Sequence, residues 1–74
     1  MMKFRTKNRV YTLRDAGDGG FLISGHPKYC PVPTLVQLAF EPRIGRVVVF
    51  EYAQKRPIGV RSNVVITTPV VEML

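Results

Sequence analysis

Hydrophobic and polar residues alternate from Met2 to Arg14, and the alternation changes phase once, across Lys7-Asn8. Side chains of a strand switch faces at every residue, and Asn accepts the positive φ of a tight turn, so the segment reads as two short strands about a two-residue turn. That turn fixes a register: Thr6 opposite Arg9, Arg5 opposite Val10, Phe4 opposite Tyr11. Met2, Phe4, Tyr11 and Leu13 then share an apolar face. Lys3, Arg5, Val10, Thr12 and Arg14 take the other, polar and basic one.

Asp15 to Gly20 is a turn by composition, and Phe21-Leu22-Ile23-Ser24 reads as the third strand of a meander. Prolines at 27, 31 and 33 remove backbone donors and make Gly25 to Pro33 a loop over the domain. Residues 34–40 fit either a turn of helix capped by Thr34 or a short strand, and the strand is favoured. After a turn at Glu41-Pro42-Arg43-Ile44-Gly45, the β-branched and aromatic run from Arg46 to Ala53 is the clearest strand of the chain. Ile58, Val60, Ser62, Val64, Ile66, Thr68 and Val70 alternate with the odd positions and are expected to point inward. Pro69 marks a bend, beyond which residues 70–74 pair back toward the first strand.

These elements predict an all-β fold with one domain over residues 2–74. Its form is a small, strongly curved antiparallel barrel of about five to six strands, Src-homology-3-like, with a helical turn near 34–40 as the open alternative. The basic opening hairpin, with Val60-Arg61-Ser62-Asn63 and Thr67-Thr68-Pro69-Val70 near the other end, resembles short bacteriophage-encoded β-rich accessory proteins. The resemblance implies a phage or mobile-element protein acting against host defence or host regulation. It carries over no site residues.

Size narrows the possibilities. At 74 residues the core is thin, because a domain this short buries only about 60–65% of its unfolded surface, and self-association would add burial. Val47, Val49 and Val65, on the odd face, point to a homo-oligomeric contact. One Cys and one His leave no disulfide framework and no four-ligand zinc cluster. No apolar run approaches the roughly 20 residues of a membrane span, so an unsecreted protein of a reducing cytoplasm is expected.

Charge then supplies the functional expectation. Eleven Lys and Arg against five Asp and Glu give a net charge of +6 and a pI near 10.1, an electrostatic footprint for polyanions. Lys3, Arg5 and Arg14 on the hairpin face, joined by Arg61, are the expected anion-binding cations, with Tyr11, Tyr29, Tyr52 or Phe21 available to stack on a base. A solvated face that discourages edge pairing is the plain alternative. His26-Pro27-Lys28-Tyr29-Cys30 holds the only nucleophile-and-base residue types, but a packed Cys and a loop His are favoured over catalysis or metal binding. A plain turn is likewise favoured over a phosphate loop at Gly17-Asp18-Gly19-Gly20. The expected protein is therefore a non-catalytic binder, without cofactor, of a nucleotide signal or nucleic acid. The alternative is an inhibitor whose basic face occupies an acidic host protein.

Overall fold

The Lys7-Asn8 turn produces the expected register: Met2, Lys3, Phe4 and Arg5 pair with Leu13, Thr12, Tyr11 and Val10. The computed structural model describes residues 1–74 and contains strands only, in a single antiparallel sheet. The strands are β1 (Met2–Arg5), β2 (Val10–Gly17), β3 (Gly20–Ser24), β4 (Thr34–Leu38), β5 (Val49–Tyr52), β6 (Val64–Ile66) and β7 (Glu72–Met73). Their spatial order is β6-β5-β4-β3-β2-β1-β7. The all-β class stands, with seven strands where five to six were expected and a strand where a helical turn was the alternative.

The sheet edges are two halves of one bent segment. β6 pairs antiparallel with β5 and β7 antiparallel with β1, so both run in the same direction on either side of Pro69. A flat seven-stranded sheet would hold its edge strands about 29 Å apart at the usual ~4.8 Å spacing. The chain from Ile66 to Glu72 reaches only roughly 20–22 Å when fully extended, so the sheet must curl. Val70 fastens the curl: its N–H donates to the Arg46 carbonyl and its carbonyl accepts from the Gly45 N–H, each at 2.8 Å, while the Val71 N–H reaches the Arg5 carbonyl at 2.8 Å. No ladder joins β6 to β7, so the seven-stranded antiparallel sheet is strongly curved but not closed.

Inside the curl, Phe4, Leu13, Ile23, Val36, Val48, Phe50 and Val70 belong to one continuous core. Phe4 stacks on Tyr11 with ring centroids 5.1 Å apart. The expected inward phase of residues 58–70 holds at Val60 and Val70 only: Val65 and Thr67 are buried, Ile66 is exposed, and Ile58 is 100% exposed. Pro57 and Gly59, the latter at φ +87°, break the extended chain, so parity counted from Ile58 is lost before β6 begins at Val64. On β5, Phe50 and Tyr52 face the core and Val49 is half-buried.

Thr67 makes the junction cohere. Its hydroxyl accepts from the buried Val48 N–H at 3.0 Å and donates to the Thr68 carbonyl at 2.7 Å. Thr67→Val keeps the shape and orphans the Val48 N–H, at a cost of about 1–3 kcal/mol. A lower urea midpoint at unchanged slope, with the product of slope and shift equal to that cost, is the expected outcome; an unaltered midpoint would remove this bond from the account of the closure.

Candidate functional site

An up-and-down sheet sends alternate connections to the same end. Here the β1–β2, β3–β4 and β5–β6 loops share one end, and they hold Lys7, Arg9, Lys28, Lys55, Arg56 and Arg61 without one Asp or Glu. The rest of the chain is neutral: Lys3, Arg5, Arg14, Arg43 and Arg46 balance Asp15, Asp18, Glu41, Glu51 and Glu72. The whole net charge of +6 therefore resides on three loops. Such concentration builds a far stronger local potential than the same charge spread over the surface.

A cleft opens among these loops along the free edge of β6. On one side, a hollow of about 300 Å³ is bounded by Arg9, His26, Tyr29 and Thr68. A neighbouring hollow of about 420 Å³, sharing Tyr29, Val65 and Ile66, is bounded by Lys28, Arg61 and Ser62. The Tyr52 N–H donates to the Asn63 carbonyl and the Thr67 N–H to the Val48 carbonyl, so in the alternating ladder the Ile66 N–H and C=O point away from β5. Ser62 closes the next such position, its hydroxyl bonding both the N–H and the carbonyl of Val64.

The β3–β4 loop is held in place by its own chemistry. Gly25 adopts φ +123°, and a Cβ there would overlap the Val10 carbonyl oxygen, so only glycine lets the chain cross β2 this closely. His26 Nδ1 accepts from the N–H groups of Lys28 at 3.1 Å and Tyr29 at 3.3 Å, which leaves the ring proton on Nε2. The Tyr29 carbonyl accepts a 2.6 Å bond from the Tyr52 hydroxyl, tying the loop to the core. Tyr29 lies 4.8 Å from the His26 ring and carries Lys28 Nζ 5.3 Å from its own centroid.

Of the expected cations, Lys3, Arg5 and Arg14 share the outer face of the β1–β2 hairpin, and Arg61 lies apart from them. Arg5 is ion-paired with Glu72 at 3.0 Å, and Lys3 and Arg14 lie on the outer face of the sheet, Arg14 in a row with Leu22 and Leu35. Arg61 alone reaches the cleft, where its companions are Arg9 and Lys28. Of the expected stacking residues, Tyr11 and Tyr52 are core side chains, 5% and 4% exposed, and burial first of all pushes both hydroxyls up to about 12. Phe21 is half-buried against the core; Tyr11 and Tyr29 both line the cleft, and of the two only the half-buried Tyr29 has ring surface to offer. Cys30 is fully buried and burial pushes its thiol up, away from the reactive thiolate. No three His, Cys, Asp or Glu side chains gather around a point that could hold a metal ion. Arg9, Lys28, Lys55 and Arg56 carry no signal in the alternation because they sit in turns; only the topology brings them together.

The positive end leaves a mark on His26. Its pKa lies below the ordinary 6.5 because partial burial, then Arg9 and Lys28, disfavour the imidazolium. A depressed folded-state value means that its contribution to stability is complete above about 6.5 and is lost as the pH falls through the folded value, when Nδ1 ceases to accept. As His26 is the only histidine, its Hε1 resonance should titrate below pH 6.5, and the urea midpoint should fall over the same interval. A midpoint of titration at or above 6.5 would contradict the positive potential deduced for this end.

No protein-family model matches the chain, and no curated protein or solved structure shows a significant likeness to it.

Proposed function

We propose that the protein captures an anionic, phosphate-bearing ligand, a nucleotide or nucleic acid, at its loop end and performs no chemistry on it. The observation that carries this reading is the confinement of the entire net charge to three carboxylate-free loops around one cleft. Cations that meet phosphates release condensed counterions, which makes such binding strong at low salt. Both reactive residue types near the cleft are otherwise engaged, Cys30 in the core and His26 as an acceptor within its loop. The resemblance of the chain ends to phage-encoded accessory proteins gives the capture a purpose: withdrawing a nucleotide signal or nucleic acid from host defence.

A second reading, the occupation of an acidic host protein, is favoured by the same carboxylate-free loop end, beside which Ile66 offers an apolar side chain 66% exposed.

Charge reversal separates the loop end from the outer face. Arg9→Glu with Arg61→Glu should weaken binding of a fluorescent nucleoside triphosphate and of a labelled oligonucleotide at least tenfold. The slope of log K against log salt should fall by about 2 in the duplex limit and somewhat less for single strands. Lys3→Glu with Arg14→Glu, equal in charge change, should cost little. Equal losses from the two pairs, in fluorescence anisotropy at several salt concentrations, would disprove the assignment of the site.

A further inference from the structure

The cleft does not end at Lys28. On the far side of that residue a third hollow, of about 760 Å³, lies between the Pro-rich β3–β4 loop and residues 54–58, with Lys55 and Arg56 on its wall. Lys28 borders both this hollow and the one at Arg61, and the latter shares Tyr29 and Ile66 with the hollow at Arg9. The three therefore form one trough around the loop end, with cations along its length and no carboxylate in its walls.

We infer that this trough takes a single strand of nucleic acid several nucleotides long, an inference that rests on the anion-binding reading above. Length argues against a lone nucleotide, which would fill one hollow and leave the cations of the others without phosphates. The lining argues against a duplex. Between the cations stand Ile58, 100% exposed, Val32, 63% exposed, and Ile66, and unpaired bases would cover these apolar side chains, whereas the sugar-phosphate exterior of a duplex would not. The edge of β6 argues against an acidic peptide pairing as an added strand: Ser62 occupies the Val64 position and Pro69 follows shortly, which leaves Ile66 as the open step between them. One half-buried aromatic, Tyr29, gives little basis for reading sequence, so the binding is sequence-tolerant and electrostatic.

The test is a length series of labelled oligothymidylate, from the mononucleotide upward, in fluorescence anisotropy with the intact protein. Affinity should rise at least tenfold and level off at about 4–6 nucleotides, the lower part of the range for small single-strand binders. With Arg9, Lys28, Lys55, Arg56 and Arg61 engaged, the salt slope should be about −3.5, so a fourfold rise in salt weakens binding roughly a hundredfold. Lys55→Glu with Arg56→Glu should lower the ratio of oligonucleotide to mononucleotide affinity; Lys55→Glu alone spares the 3.3 Å bond from Arg56 Nε to the Val60 carbonyl and should lower it by a smaller factor. Mononucleotide and oligonucleotide of equal affinity would overturn the trough and leave the anion site standing. A duplex, or polyglutamate of matched charge, that binds as tightly as the single strand would overturn the choice of ligand. Failure of every phosphate probe to bind would sink the anion-binding reading itself.

Discussion

The placement of Val70 governs the rest of the structure. Its N–H and C=O bond the segment that leads into β5, while the next N–H bonds β1, so one residue step spans the gap between the two sides of the sheet. The short chain between β6 and β7 makes this unavoidable once seven strands have formed, because a flat sheet would outrun it. Curling, in turn, converts a two-sided sheet with a thin core into one with an inside. Phe4 and Phe50, from strands four positions apart in the sheet, can both be fully buried in a chain of 74 residues only because the sheet bends around them.

The same curvature creates the cationic end. In a flat meander, the three loops at one end would be strung along a line and their charges separated by two strand spacings each. Bending brings the β1–β2 turn beside β6, so that Arg9 and Lys28 both act on His26 although they belong to different connections. At the opposite end Asp18 and Glu41 are offset by Arg43 and Arg46, so its connections are neutral. The molecule is thus polarised along its strands, and a polyanion approaching by diffusion is turned toward the loops before contact.

How much of this was legible in the sequence depended on distance along the chain. The Phe4–Tyr11 pairing followed from a two-residue turn, because so short a connection leaves one register, and the bend at Pro69 followed from residue type, whereas residues 34–40 fitted a helical turn as well as the strand that β4 forms. Parity failed after Ile58, since alternation counts residues as if extended and Pro57, Gly59 and Ser62 interpose turns. The ion pair of Arg5 with Glu72 joins residues 67 apart, and nothing local announces it. The cations of the cleft were hidden for a related reason. Each lies in a turn with no periodicity of its own, and their convergence becomes visible once the strand order assigns turns to ends. The compact patch expected at Lys3, Arg5 and Arg14 drew on alternation, the one signal that favours strand faces over loops.

Concentrating six cations on loops has a physical cost, because like charges push the loops apart and leave the end ill-defined. The structure counters this with restraints that need no opposite charge. Pro27, Pro31, Pro33 and Pro57 narrow the backbone freedom of the loops, and Gly25 allows the chain to cross β2 where any side chain would collide. The Tyr52 hydroxyl holds Tyr29 from the core side, and His26 Nδ1 holds the turn from within. An acid placed among the loops would relieve the repulsion more simply, but it would also compete with any anion for the same guanidinium and ammonium groups. Rigidity supplied by proline, glycine and neutral hydrogen bonds keeps the cations ordered and unpaired together. For the anion capture proposed above, that combination would lower the entropic cost while leaving every loop cation available to the ligand.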